Sequence, residues 1–561
     1  MGKNQVIVRN TCIEVTNYQK GDCEKLEDYF KKYDPLTHRY NYFGIYFDKE
    51  NKRMFLPRGI DIWFVKKALD VKDHITQHHN PYMNFEREAL LKYKPRDDEQ
   101  FQALNFMCGL TEEYHDNLYL PQLSVNLVTG KGKTYCSIAT MCFFQIKAIV
   151  ITASTSLLKQ WTDDIKEYTN LDDKDIMFIN GADTMNVISM GKSNKAKTSS
   201  IFLISHATIR SYANTYGWDK LNRVFLSLGI GVKIIDEAHT NFENILMMDF
   251  FTNVWKTYYV TATPKRSNRS EDRIYQLSLK NVPDIDLFNP DEDPHTDYLA
   301  IKWNSKPSPK DISRCSNMYG LDRNKYIDYI TKNPEFYKMM YIVMDLVLKC
   351  KGRVLIYIGT NEAILRVYEW ICNNYPELIG DVGVFTSLMD TRAAKLKERE
   401  KKIILSTTKS AGLGEDIKGL KMTVVLAEPF KSEVLARQSL GRTRDKDTMY
   451  VELVDMGFKY IKNFYLAKLP VFNKYASSTE HLFIDSYELN ARYNRLKEDR
   501  DEYIELSPIS FYDKRFNIGC DINVLEYLRD NAFKASVNNE TINNNSNGNI
   551  ITPIHFIEKE K

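Results

Sequence analysis

The stretch Leu123-Ser124-Val125-Asn126-Leu127-Val128, followed by Thr129-Gly130-Lys131-Gly132-Lys133-Thr134, decides the fold class of this chain. The mostly apolar run is bounded by Pro121 and Gly130, so it reads as a buried strand. A helix is expected from about Lys133 to Phe144. Strand, glycine turn and helix together form a phosphate loop. Backbone N–H groups wrap phosphate oxygens there, and the helix N-terminus adds a favourable dipole. In that setting Lys133 reaches the β- and γ-phosphates of a nucleotide and Thr134 ligates Mg²⁺. The longer form of the pattern has Gly at position 127, where this chain has Leu127.

Outward from this loop, strands and helices alternate. Strands are expected at Ala148–Thr152, Ser200–Ile204, Val232–Ile235 and Tyr258–Val260. A second alternating stretch follows, with strands at Arg353–Ile358, Lys402–Ser406 and Met422–Leu426 and a helix at Asn361–Asn373. Such alternation indicates α/β domains with doubly wound parallel sheets. Asp284–Asp297 holds two prolines and six acidic residues and reads as a linker or long loop.

With 561 residues, the chain has room for three or four domains at roughly 150 residues each. Residues 1–85 read as a small N-terminal α+β module, with strands in Asn41–Phe47 and Arg53–Phe55 and a helix over Ile60–Leu69. Residues 86–297 and 298–475 read as the two α/β domains, and 476–535 as a helical C-terminal extension, as in Tyr493–Tyr503. Residues 536–561 form an Asn-rich tail that cannot bury enough apolar surface to fold alone. In the N-terminal module, Tyr40, Tyr42, Tyr46, Lys52, Arg53 and Arg58 interleave aromatic and basic character. This suits either a nucleic-acid surface or an ordinary half-buried sheet.

A net charge of only +3 excludes a uniformly basic field, so any nucleic-acid surface must be local. The 43% hydrophobic content excludes a wholly disordered chain. No apolar run reaches the ~18 residues of a membrane span, and the N-terminus lacks the apolar core of a signal peptide. The nine cysteines form no CxxC pair and no zinc-type cluster. They read as free, mostly buried thiols in a reducing, cytoplasmic setting.

Val232–Ile235 runs into Asp236-Glu237-Ala238-His239, so two carboxylates stand at the strand end where α/β sheets present ligands. Asp236 is placed to hold Mg²⁺ and Glu237 to polarise water. Taken alone, the pair would read as a surface acidic turn. Tyr258–Val260 leads into Thr261-Ala262-Thr263-Pro264, whose hydroxyls could bridge to His239. In the second α/β stretch lie Thr408-Lys409-Ser410-Ala411-Gly412-Leu413-Gly414-Glu415-Asp416 and Gln438-Ser439-Leu440-Gly441-Arg442-Thr443-Arg444. Arg442 and Arg444 could supply charge to a transferring phosphoryl group. In isolation they would read as solvated surface arginines.

The order TGKGKT, DEAH, TATP, TKSAGLGED and QSLGRTR resembles that of the superfamily 2 helicases and translocases, over about residues 90–460. The resemblance implies two RecA-like domains that bind ATP with Mg²⁺ and nucleic acid. It assigns nucleotide binding to Gln100, Thr129, Gly130, Lys131, Gly132, Lys133, Thr134, Gly414 and Asp416, with Gln100 reading adenine. It assigns catalysis to Lys133, Asp236, Glu237, Gln438, Arg442 and Arg444, and metal binding to Thr134 and Asp236. His239, Thr261 and Thr263 couple hydrolysis to strand movement, and Gln160, Trp161, Thr208 and Thr408 contact nucleic acid. The family's second motif-six arginine would fall at 445, where this chain has Asp445, so Arg442 is the safer finger. No separating-pin insertion is evident.

Within the superfamily the chain looks most like the phage UvsW-type helicases and their poxvirus transcript-release relatives. That branch implies a monomeric DNA motor for unwinding, branch migration or fork remodelling, in the cytoplasm of a phage's host, with recombination or replication proteins as partners and no membrane association. The other readings are an RNA helicase or transcript-release factor, the motor subunit of a restriction system, and an annealing module with a vestigial ATPase.

Overall fold

A computed structural model of the chain describes residues 4–18, 21, 24–34, 38–127, 131–262, 266, 269–287, 296–318, 320–386, 397–411, 417–442 and 447–506. These fall into two compact units, one within Met1–Phe288 and the other within Asn289–Gly548.

The first unit is built on a seven-stranded, all-parallel sheet. Its strands run in the order Ile176–Ile179, Ile201–Ser205, Ala148–Thr152, Val232–Asp236, Lys256–Thr261, Gln122–Asn126 and Asp284–Asp286. Asp284–Asp286, expected as linker, is therefore an edge strand of this sheet. The period of two splits each strand between two cores. Val232, Ile234, Tyr258 and Val260 face a core shared with helices Asp98–Cys108, Lys133–Phe144 and Thr155–Tyr168. Ile235 and Tyr259 face the opposite core.

That opposite core also contains the N-terminal module. Val6, Cys12, Ile13, Phe55, Leu56 and Val65 belong to the same apolar cluster as Ile149, Phe202 and Ile235. The module's five-stranded sheet runs Tyr46–Asp48, Arg53–Pro57, Cys12–Thr16, Gln5–Val8 and Ile75–Thr76. Helix Phe242–Phe251 lies against it, with the Phe55 ring 6.0 Å from Phe250 and 5.3 Å from Phe251. Polar links follow the same seam: Gln122 Nε2 donates to the Thr11 carbonyl at 3.2 Å and to Tyr259 Oη at 2.8 Å, and Tyr259 Oη donates to Asp249 at 2.6 Å. Residues 1–85 are thus one face of the first unit rather than a separate module. Asn41–Phe47, expected as one strand, is divided between strands Arg39–Tyr42 and Tyr46–Asp48 of two different sheets.

The second unit repeats the plan with another all-parallel seven-stranded sheet, in the order Val382–Phe385, Ile403–Ser406, Arg353–Ile358, Leu420–Ala427, Thr448–Asp455, Thr296–Trp303 and Ser478–Phe483. The two sheets form tandem RecA-like α/β domains. Residues 478–483, expected within a helical extension, form an edge strand; the polar sequence Ser-Thr-Glu-His-Leu-Phe hid it. Helix Ser486–Leu506 then docks on helix Pro334–Lys349, where Tyr493 meets Tyr341 at 5.3 Å and Lys338 donates to Asn490 at 2.7 Å. The Asn-rich tail lies outside the described residues. Among those residues no helix is long and apolar enough to cross a membrane, and the seven described cysteines are all free.

Candidate functional site

The C-terminal strand ends of the first sheet gather the expected side chains. Gly132 caps helix Lys133–Phe144 with φ +89, a left-handed conformation that suits glycine. It also leaves room for Gln100, whose Nε2 would lie 2.2 Å from a Cβ at that position. Gln100 is held by its helix cap: Asp97 accepts from its N–H at 3.0 Å. Its amide accepts from Arg96 N–H at 2.8 Å and donates to the Lys131 carbonyl at 3.4 Å. Lys131 pairs with Glu99 at 2.8 Å. The adenine-reading candidate therefore packs directly on the phosphate-loop backbone.

Lys133 Nζ donates to Glu237 Oε1 at 2.8 Å, both side chains being mostly buried. Asp236 is the last residue of its strand, and Glu237 turns the chain with φ +53. A left-handed carboxylate residue is uncommon, and such strain clusters at functional sites. The turn is fixed by Ala238 N–H to the Val260 carbonyl at 3.0 Å and Thr240 N–H to the Glu237 carbonyl at 2.8 Å. His239 Nδ1 lies 2.7 Å from Thr261 Oγ1 and 3.4 Å from Glu237 Oε2. Leu127 N–H, at the entry to the phosphate loop, donates to the Thr261 carbonyl at 3.0 Å. Phosphate loop, acidic turn and hydroxyl strand are thus joined by short polar contacts.

Burial, then the adjacent Glu237 carboxylate, push the Asp236 carboxyl up to about 6, against the pull of Lys133 and of an indole N–H. That indole belongs to Trp161, whose Nε1 donates to Asp236 Oδ2 at 3.1 Å. Asp236 is a carboxylate at a strand end beside the phosphate-loop lysine, and carboxylate and hydroxyl oxygens are the donors a hard cation takes. The donor set of Asp236 and the nearby hydroxyl residue Thr134 fits Mg²⁺.

The remaining described candidates range from buried to half-buried. Trp161, expected from the resemblance to contact nucleic acid, is only 3% exposed and is occupied with Asp236. Thr208 is buried in the first turn of helix His206–Tyr216, its hydroxyl 3.1 Å from Ser205 Oγ. Gln160 is half-buried beside Trp161 and Thr134 half-buried after Lys133. In the second unit, Thr408 opens the short helix Thr408–Ala411, and Gln438 and Arg442 lie at and just after the end of helix Glu433–Leu440; all three are buried. Burial raises the Tyr357 hydroxyl to about 12, opposed by the positive charge of Arg442. Thr129, Gly130, Thr263, Gly414, Asp416 and Arg444 lie outside the described residues.

Arg266 was not singled out from the sequence. Its Nη1 donates to the His239 carbonyl at 2.5 Å and its Nη2 to Glu271 at 2.8 Å. The available signal was a basic residue just after Thr261-Ala262-Thr263-Pro264.

Residues 92–266 match the family described as type III restriction enzyme, res subunit. No curated protein matches the chain. Among solved structures the chain is similar to the crystal structure of T4 UvsW, at 13% identity and TM-score 0.31, covering 86% of this chain and 100% of that one. It is also similar to S. cerevisiae Dbp5 bound to RNA and ADP BeF3, at 15% identity and TM-score 0.47, over 71% of this chain and 92% of that one. A third likeness is to the ATP-dependent type ISP restriction-modification enzyme LlaBIII bound to DNA, at 13% identity and TM-score 0.47, over 77% of this chain and 33% of that one. The family match and the ordered motifs support a helicase-type ATPase domain over residues 92–266. The matched residues and the motif order support a superfamily 2 helicase.

Proposed function

We propose that this protein is a nucleic-acid-dependent ATPase that moves on or unwinds DNA, in branch migration or fork remodelling. The observation that carries the reading is the joined set Lys133–Glu237–His239–Thr261 around Asp236. Lys133 binds the β- and γ-phosphates of ATP, and Gln100 reads the base. Glu237 orients the attacking water and takes its proton. Thr134 and Asp236 hold Mg²⁺, which supplies charge neutralisation at the phosphates when bound. Arg442, with Arg444 as the other candidate, stabilises the charge that develops on the phosphoryl oxygens. His239 and Thr261 link the hydrolytic turn to the strand bearing the hydroxyl motif. The preference for DNA over RNA, a phage origin with recombination or replication partners, and a monomeric cytoplasmic state rest on the UvsW-type sequence resemblance.

ATP hydrolysis without nucleic acid, and with single-stranded DNA, branched DNA or single-stranded RNA, tests the reading, with Glu237→Gln as the blank. Strongest stimulation by branched DNA is expected. Stimulation by RNA alone would move the protein to RNA remodelling or transcript release, and a response no higher than the blank would remove the motor reading. The family match also favours a second reading, the motor subunit of a restriction system. That reading requires a nuclease partner, which co-purification from the native host would reveal.

A further inference from the structure

The N-terminal face carries a feature that the ATPase chemistry does not use. Strands Lys31–Asp34 and Arg39–Tyr42 pair as an antiparallel hairpin of their own, outside the five-stranded sheet. Tyr33 faces Tyr40 across the hairpin with ring centroids 5.3 Å apart, and the two are 45% and 66% exposed. Tyr42 is 41% exposed, and by the strand's period of two Lys31 shares the face of the three rings while Lys32 falls on the other. Isolated two-stranded hairpins are marginal in water, and clustered exposed rings mark contact surfaces. Something must therefore hold this hairpin in place.

Its base is clamped to helix Arg269–Ser278. Gly44, with φ +82, lets that helix approach so closely that a Cβ would sit 2.8 Å from Ile274. Arg273 donates to the Tyr29 carbonyl at 3.1 Å. Lys32 of the hairpin pairs with Glu271, Glu271 accepts from Arg266 at 2.8 Å, and Arg266 donates to the His239 carbonyl at 2.5 Å. Lys32 and Arg266 both lie 5.7 Å from the Phe43 ring, one residue beyond the hairpin. A chain of charge-assisted contacts therefore runs from the exposed hairpin to the acidic turn, whose imidazole bonds Thr261.

We propose that this hairpin stacks unpaired bases of a nucleic-acid strand on Tyr33 and Tyr40, and that Lys32, Glu271 and Arg266 transmit its engagement to the Asp236–His239 turn. The inference rests on the motor reading above. Exposed rings with a cation on the same face suit single strands of any sequence, because every base has a stacking face and every link a phosphate. A motor that advances along arbitrary sequence needs a contact of that kind. Lys32, Glu271 and Arg266 act through the His239 carbonyl and are positioning residues.

Photo-crosslinking to single-stranded DNA and RNA oligonucleotides carrying 5-iodouracil, mapped by mass spectrometry, tests the contact, and the two arms report which sugar is preferred. Crosslinks at Tyr33 or Tyr40 are expected; crosslinks only elsewhere overturn the proposal. The Tyr33→Ala/Tyr40→Ala double variant should raise the nucleic-acid KM of the ATPase about tenfold or more with an unchanged melting temperature. Tyr119→Ala, at a 72% exposed ring away from the hairpin, should not change it. For the relay, Lys32→Met should lower the stimulated kcat at least fivefold while nucleic-acid Kd stays within twofold, and Lys32→Arg should restore it. Unchanged kcat in Lys32→Met overturns the relay. A wild-type enzyme unstimulated by any nucleic acid defeats the motor reading itself. A stimulated wild type whose hairpin variants behave identically defeats only the hairpin.

Discussion

The indole of Trp161 donates to Asp236 Oδ2 across 3.1 Å, which ties a residue expected to touch nucleic acid to the carboxylate proposed to hold Mg²⁺. Asp236 is buried beside the Glu237 carboxylate, where one hydrogen bond weighs heavily. Trp161→Phe keeps most of the packing and removes the donor. A hydrogen bond to a charged group contributes about 1.5–3 kcal/mol, so kcat for ATP hydrolysis should fall roughly ten- to hundredfold. Nucleic-acid affinity should hold. Steady-state kinetics and a binding titration separate the two, and a loss of strand affinity at constant kcat would return Trp161 to the nucleic-acid surface.

Gly132→Ala carries two separate penalties, a Cβ placed 2.2 Å from Gln100 Nε2 and an alanine at φ +89. ATP affinity should drop at least about tenfold, since a left-handed non-glycine residue alone costs of order 1–3 kcal/mol. Combining it with Gln100→Ala removes the steric clash and leaves the backbone strain. The double variant should therefore bind ATP better than Gly132→Ala alone, a sign that a nucleotide-binding titration reads directly.

Lys133→Ala should abolish ATP turnover by removing the phosphates' main cation. Glu237→Gln should bind ATP and retain it, visible as filter-bound nucleotide without phosphate release. Arg442→Ala should cost roughly 10³-fold in kcat if Arg442 is the finger. A loss below about tenfold would transfer that role to Arg444.

His206 opens helix His206–Tyr216 and is buried against Asn244 of the helix that follows the acidic turn, 3.1 Å from ring nitrogen to amide. Burial pushes its imidazole from 6.5 down to about 4. Between those values the unfolded chain binds more protons than the folded one. Stability should therefore be full above pH 6.5, decline as pH falls toward 4, and be lost by about 3 kcal/mol below that. His206→Gln should flatten this part of the melting-temperature profile. A wild-type profile already flat between pH 6.5 and 4 would contradict the assignment.

The parts of the site that could be read from the sequence are those written in consecutive residues. Helix Lys133–Phe144 and strands Ala148–Thr152 and Arg353–Ile358 have the expected bounds because their apolar runs end at glycine and polar breaks. The acidic and hydroxyl turns could be read for the same reason, as short strings after buried strands. Trp161 and Arg266 could not, because their partners Asp236 and His239 are distant in sequence and no local pattern records such a contact. The strand Ser478–Phe483 escaped because an edge strand needs no apolar run. Asp284–Asp286 escaped because acidic residues and prolines resemble a linker even where three of them pair with Ser124–Asn126.

The seam of Phe55, Phe250, Phe251, Thr11, Gln122 and Tyr259 bears on how such a chain can evolve. An accessory module joined by a tether can be exchanged as a cassette, since neither side has adapted to the other. Here one apolar core joins the parallel sheet of the first unit, helix Phe242–Phe251 and the five-stranded sheet. Any graft that replaced this module would also have to inherit helix Phe242–Phe251, and with it the segment next to the hydrolytic turn. The two must therefore be inherited together, so that divergence at either end is constrained by the packing at the other.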